Sequence, residues 1–339
     1  MDSAQLLALT DALTSRKVAV IGDVVADEFV YGRVARMSRE APVLILEYDS
    51  TEIVPGGAGN AANNVAALGG RATLVAIVGR DTPGRRLVAA LHRRVDSRYL
   101  LRSAAGPTPV KTRILAGGIH SAKQQIVRID RGVARPIDPG ARGTFERAAL
   151  DAAPEADAIL LSDYGSGLIT PAFVTKVLRA VRRARRQVPV LIDTRYGLLD
   201  YNGLTASTPN ESEVEQALGI RIDDDQRALE RAGREILKRT RMQAVLITRG
   251  SRGMSLFVRG SSPVHIPIFG TDSIVDVTGA GDTVMATVTL ALAAGASFEG
   301  AARLANYAGG LVVMKRGTAT VTADELKVAI AQRGAKADG

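Results

Sequence analysis

The octapeptide Asp276-Val277-Thr278-Gly279-Ala280-Gly281-Asp282-Thr283 runs directly into an apolar stretch that reads as a helix. Two glycines permit a turn tight enough for successive N–H groups to converge on an anion at a helix N-terminus. A carboxylate, Asp282, then falls in the first helical turn beside that anion site. An acid next to bound phosphate is repulsive unless it has a proton to collect. Phosphoryl transfer to an alcohol sets that requirement: a base for the hydroxyl, and positive dipoles for the charge on the group in transit. On this reading Asp282 is the candidate general base, and the amides of Gly279, Ala280 and Gly281 form the candidate anion hole. The rival reading is a capped helix after a glycine turn, and the string alone leaves both open. Other phosphate cradles are excluded. The chain has no Gly-Lys pair and no Gly-x-Gly-x-x-Gly, hence no Walker A loop, dinucleotide fingerprint or protein-kinase glycine loop.

Composition removes several further chemistries. The 339 residues include no cysteine, so disulfides, thiolate metal sites and cysteine nucleophiles are ruled out together. The histidines, His92, His120 and His265, lie far apart, which argues against a histidine metal cage. The net charge is +9, from 44 basic and 35 acidic residues. Nucleic-acid binding is one reading of that excess; an anionic substrate in an arginine-rich chain is the other. Aromatics make up 4% of the chain and do not interleave with the arginine run Arg179, Arg182, Arg183, Arg185 and Arg186, so base-stacking platforms are missing and the second reading is preferred. No apolar run approaches the ~20 residues that span a bilayer, and the first residues, MDSAQLLALTDALTSRK, do not read as a secretory signal. A cytoplasmic enzyme is expected.

Stepping outward to the elements, apolar runs read as buried strands at 17–23, 72–79, 158–163, 188–193 and 244–250, alternating with helical patterns. That alternation predicts an α/β fold with a mostly parallel central sheet and helices on both faces. A glycine turn precedes an Ala/Asn-rich helix within 55–70, and two long helices are expected near 280–294 and 298–314. Two β-rich excursions, 31–54 and 107–130, break the alternation. They are expected to pair as a small lid, with Gly117-Gly118 in a hairpin turn. Residues 1–339 read as one domain.

Two stretches then carry a resemblance. DVTGAGDT is similar to the C-terminal signature of the ribokinase-like (PfkB-type) carbohydrate kinases, and GGAGNAANNVAALG is similar to their N-terminal one. Asn210-Glu211-Ser212-Glu213 matches the family's NxxE between them, and the resemblance covers about residues 15–332. It implies the ribokinase-like fold and ATP with Mg²⁺ as cofactors. By the same resemblance Glu213 helps hold the metal through water, and Asn210 lies by the nucleotide phosphates. Thr248, Gly250 and Gly253 fall in the nucleotide loop. Asn306 and the turn Lys315-Arg316-Gly317-Thr318 lie around the adenine. Asp27, Gly56, Gly57 and Asn60 match the sugar-binding positions, with Asp23 a second carboxylate candidate; for Asn63 and Asn64 helix hydrogen bonding and sugar contact remain equal alternatives.

Further stretches, GDVVADEFVYGRVARMSREAPVLILE, VKTRIL, QQIVRID, LSDYGSG and ANYAGGLVVMKRGTATVTADEL, resemble one branch, the kinase half of bacterial ADP-heptose synthase. That resemblance implies phosphorylation of D-glycero-β-D-manno-heptose 7-phosphate at its anomeric hydroxyl, in supply of lipopolysaccharide core. Another sugar or sugar phosphate is the alternative substrate, and a non-catalytic basic binding protein on the same scaffold is the alternative of another class. A substrate that already carries phosphate needs cations, and Lys111, Arg113 and Arg128 in the lid strands are the candidates, with Arg36 nearby. Lids of this branch pair into homodimers, which would also protect exposed strand edges. Three positions depart from the branch: Ser166 stands where it has lysine, Asp193-Thr194-Arg195 where it has Asp-Pro-Lys, and Arg39 where it has proline.

Overall fold

Strand and helix alternate along most of the chain because apolar runs closed by Gly or Asp are followed by capped amphipathic stretches. The computed structural model describes residues 1–117, 123–132, 137–184, 187–270 and 276–337. The first third contains α1 (Ser3–Ala12), β1 (Lys17–Gly22), β2 (Val24–Met37), β3 (Leu44–Gly57), α2 (Ala58–Ala67), β4 (Arg71–Gly79), α3 (Thr82–Ala89), β5 (Val95–Asp96) and β6 (Leu100–Ser103). Next come β7 (Val110–Gly117), β8 (Gln124–Arg131), α4 (Pro139–Ala152), β9 (Ala158–Asp163), α5 (Pro171–Arg183), β10 (Val190–Thr194) and β11 (Ala206–Ser207). The chain continues through α6 (Glu211–Leu218), α7 (Gln226–Thr240), β12 (Ala244–Thr248), β13 (Met254–Val258), β14 (Val264–Ile266), α8 (Ala280–Ala293), α9 (Phe298–Val312) and α10 (Ala323–Ala337).

The central sheet has the order β14-β13-β12-β11-β10-β9-β1-β4-β5, with β6 also on β4. From β12 through β4 every pairing is parallel; β13 and β14 add an antiparallel edge. Side chains alternate between two cores, one on each face. In β1, Val18 and Val20 join the core under α2, α8 and α9, while Ala19 and Ile21 join the core under α4, α5 and α7. Strands buried on both faces explain the unbroken apolar runs.

Helix starts follow the capping residues. Thr170 caps α5 ahead of Pro171, Asn210 caps α6, and Ser297 caps α9. Helix α2 is different. Its small residues are buried nearly all round, so it threads the core between sheet and α8.

The two β-rich excursions form one four-stranded sheet, β3-β2-β7-β8. The strands are longer than the 31–54 and 107–130 estimate at one end. β2 and β3 pair from Met37↔Leu44 back to Val24↔Gly57, so the lid is rooted at the tip of β1 and the start of α2. A register shift at Tyr31/Gly32 bends the pair where a Cβ on Gly32 would press within 2.8 Å of the Glu47 carbonyl oxygen. β7 runs parallel to β2, and this register sets Asp27 beside Lys111. α10 follows the two expected closing helices. Gly118, Arg185 and Arg186 lie outside the described residues.

Candidate active site

The C-terminal ends of β9, β10, β11 and β12 and the N-termini of α6 and α8 open onto one cleft of about 250 Å³. In parallel sheets this is the edge where ligands bind. Asp282, 4% exposed, lies at its floor. One carboxylate oxygen, Oδ2, accepts a hydrogen bond from Asn60 Nδ2 at 2.9 Å; the other, Oδ1, accepts one from the Tyr164 hydroxyl at 2.9 Å. Asn60 is itself oriented. Its Oδ1 accepts from Asn64 Nδ2 at 3.0 Å, and Asn64 Oδ1 accepts from the Thr283 hydroxyl at 3.2 Å. Residues 222 apart in the chain thus meet in one hydrogen-bonded set. Asn63 bonds instead to Ala90 and His92 backbone.

Burial pushes the Asp282 carboxyl up to about 7, against the opposing pull of the Asn60 and Tyr164 donors; nearby Asp27 adds to the rise and Lys111 opposes it. Such a group gains and releases a proton near neutrality, which suits a general base.

The glycine turn has the geometry an anion hole needs. Gly279 adopts φ +77°, and a Cβ there would come within 2.6 Å of Asn60 Nδ2, so no other residue fits. The Ala280 amide donates to the Val277 carbonyl at 3.2 Å. The amides of Gly279 and Gly281 have no hydrogen-bond partner among the described residues, and both residues line the cleft. Asp276 holds the turn from below, accepting from Thr278 N at 2.9 Å and Gly317 N at 3.0 Å.

At the other end of the cleft, Asn210 and Glu213 form the capping box of α6: Asn210 Oδ1 accepts from Glu213 N, and Glu213 Oε2 accepts from Asn210 N, each at 2.9 Å. Glu213 Oε1 carries no hydrogen bond among the described residues. Burial holds the Glu213 carboxyl above its ordinary range, and burial with the charges of Asp282 and Glu213 does the same, more strongly, to Asp193. Beside them the buried Thr208 hydroxyl has no partner among the described residues. Arg195, exposed, is the one cation among the described residues that line this cleft. No group of three metal-ligating side chains occurs among the described residues.

The root of the lid lies near Asp282, whose carboxyl feels the charges of Asp27 and Lys111. Asp27 accepts from Arg113 at 2.5 Å and from the Thr318 hydroxyl at 3.2 Å. Gly56 permits the approach of that carboxylate, since a Cβ there would fall 2.3 Å from Asp27 Oδ2. Gly57, at φ +58°, abuts the Asp23 carbonyl oxygen. Asp23 is 5% exposed. It accepts from the Tyr164 and Ser166 amides at 2.8 and 3.2 Å and from the Ser166 hydroxyl, and so shapes the 164–166 turn. Lys111 is 8% exposed and lies over the Tyr164 ring at 4.9 Å, with no carboxylate pair among the described residues. Arg128 is paired with Asp130 at 2.5 Å.

Four further residues sit away from the floor of the cleft. Thr248 borders it through its bridge to Asn210, whereas Gly250 lies in the turn beyond, open on its outer side. Gly253 at φ +79° backs onto the Ile266 carbonyl oxygen, so its visible role is to let that turn close. Asn306 is buried and donates to the Pro267 carbonyl at 2.9 Å, pinning α9 to the chain after β14. Tyr164 lies within the LSDYGSG stretch, which assigned it no role, and Thr208 lies just before Asn210 outside the motifs named. Tyr164 follows a buried strand between Asp and Gly at the ligand-binding edge, which was the available signal.

The pattern described for the pfkB family carbohydrate kinases matches residues 15–325. The chain belongs to that family. Among similar proteins, the Bifunctional protein HldE of Caulobacter sp. (strain K31) is 43% identical over 329 residues, covering 95% of this chain and 64% of that one. The protein of the same name from Geobacter metallireducens is 42% identical, covering 91% of this chain and 61% of that one. This pfkB-family kinase therefore spans less than two thirds of the length of these relatives. The fold is shared with Arabidopsis thaliana ribokinase complexed with ribose and ATP (TM-score 0.69, 21% identity, 94% and 99% of the two chains). It is shared equally with Escherichia coli phosphofructokinase-2 in complex with fructose-6-phosphate (TM-score 0.71, 17% identity, 94% and 99%). No helix among the described residues is long and apolar enough to cross a membrane.

Proposed function

We propose that this kinase transfers the terminal phosphoryl group of ATP to a hydroxyl of a sugar phosphate, D-glycero-β-D-manno-heptose 7-phosphate, to give the 1,7-bisphosphate. The observation that carries this reading is the buried Asp282, held by Asn60 and Tyr164 at the point where the two glycine turns meet. The sugar O–H gives its proton to the Asp282 carboxylate as its oxygen attacks the γ-phosphorus. The bond from that phosphorus to the bridging oxygen breaks, and ADP leaves with the electron pair. The amides of Gly279 and Gly281, without a partner among the described residues, would face the charge that develops, which is where fixed dipoles lower a barrier most.

The oxygen-only donors at the α6 end suit Mg²⁺, which keeps much of its water and needs few protein ligands. Glu213, with one unbonded carboxylate oxygen, would hold it with the nucleotide phosphates, and the unpartnered Thr208 hydroxyl is a donor for those phosphates. Bound there, the ion supplies charge compensation between phosphate oxygens. Arg195 does the same from the protein.

On the sugar side Lys111 is the uncommitted cation, since Arg113 and Arg128 already pair with Asp27 and Asp130. A second reading, another phosphorylated sugar, is favoured by one observation: the Ser166 hydroxyl bonds to Asp23 where the branch has an ammonium group. Purified protein assayed for ADP release with heptose 7-phosphate, heptose, fructose 6-phosphate and ribose decides between them. The expected order puts heptose 7-phosphate first and unphosphorylated heptose far behind; equal turnover of both heptoses would overturn the phosphate requirement.

A further inference from the structure

Tyr164 touches three groups with different duties. Its hydroxyl donates to Asp282 Oδ1 at 2.9 Å, and its ring lies under Lys111 Nζ, 4.9 Å from the centroid. The ring edge also fills the space beside Gly57, where a Cβ would come within 3.3 Å of Tyr164 Cε2. One side chain thus spans the base, a lid strand and the glycine turn before α2. Burial, together with the charges of Asp282, Asp193 and Asp27, holds the phenol well above its ordinary pKa. It keeps its proton, so it is no competing base.

We propose that Tyr164 is a positioning residue for phosphoryl transfer: its hydroxyl fixes the rotation of the Asp282 carboxylate, and its ring couples that carboxylate to lid strand β7 through Lys111. The inference rests on Asp282 being the base. With Asn60 on one carboxylate oxygen and Tyr164 on the other, the carboxylate plane is set before the sugar arrives, and the remaining lone pairs point at a fixed place. A carboxylate held by one donor would rotate and lose that alignment. The groups that face Asp282 are Asn60 from α2, Tyr164 after β9, Asp27 from β2, Lys111 from β7 and Asp193 at the end of β10. Three of them, Asn60, Tyr164 and Lys111, favour the ionised form.

Tyr164→Phe keeps the ring and removes only the donor, so it should fold, with an unchanged melting temperature. Its kcat should fall about tenfold, with KM for sugar and ATP within about twofold of the parent. Losing a donor that favours the carboxylate raises the pKa of Asp282, so the acid limb of the kcat profile should move to higher pH by about half a unit or more. Lys111→Gln should move the same limb in the same direction, and also raise the KM for the phosphorylated sugar. An unmoved limb in Tyr164→Phe, or a rise in sugar KM at constant kcat, would show a packing or binding residue and overturn the proposal. An unmoved limb in Lys111→Gln would overturn the coupling to β7. If Asp282→Asn stays active, the base reading fails first; if that variant is inactive while Tyr164→Phe matches the parent, the inference alone fails.

Discussion

At the scale of single residues, the site places one carboxylate, 4% exposed, on the floor of a cleft and holds it with neutral donors. That placement has a measurable cost. The Asp282 carboxyl sits at about 7 in the folded chain against 3.8 for an ordinary aspartate, so between those values the folded chain keeps a proton that the unfolded chain has released. The stabilisation is complete below pH 4 and is lost as the pH rises through 7. Asp282→Asn removes the ionisation, so its advantage in melting temperature over the parent should grow from pH 5 to pH 8; a difference that does not change with pH would contradict a buried ionisable base. Much of this was legible in residue types and order, because Gly279-Ala280-Gly281-Asp282 needs so little context to be read as an anion turn with an acid. The partners were not. Asn60 came from a likeness between signatures, and Tyr164 stood in LSDYGSG with no role attached, because its contact with Asp282 spans 118 positions and depends on how β9 ends beside α8. Asp23 adds a role that its type did not announce, since it accepts hydrogen bonds from the 164–166 turn.

At the scale of elements, the lid brings two charged residues, Asp27 and Lys111, near the carboxylate. β2 leaves the tip of β1 and carries Asp27 at its root, and β7 sets Lys111 alongside. The alternating pattern of the two excursions revealed the strands, but the polar run Asp27-Glu28 hid how far β2 extends, since a strand that passes from core to solvent shows no constant period. β8 is exposed along its whole length, and Ile126, Val127 and Ile129 are each more than 40% exposed. Such an edge invites pairing with a second copy. The protein is expected to sediment as a dimer, with Val127→Asp/Ile129→Asp shifting it to monomer; a monomeric parent at micromolar concentration would contradict pairing through the lid. The short strands β5, β6 and β11 escaped the sequence reading because two to four residues carry no period at all.

At the scale of the whole molecule, the parallel sheet brings the ends of β9, β10, β11 and β12 to one edge, and the middle and last thirds of the chain supply the two helix N-termini that open onto it. The alternation of strands and helices made that architecture readable, while the order of the strands needed the coordinates. The +9 charge agrees with an anionic substrate, although the cleft itself is lined by carboxylates and a single arginine among the described residues, so the phosphates must bring their own cation. The most direct test of the account is turnover of Asp282→Asn with ATP, Mg²⁺ and heptose 7-phosphate, measured beside its ATP affinity. Turnover should fall by about a hundredfold or more with ATP binding nearly unchanged; turnover close to that of the parent would contradict a carboxylate base at position 282.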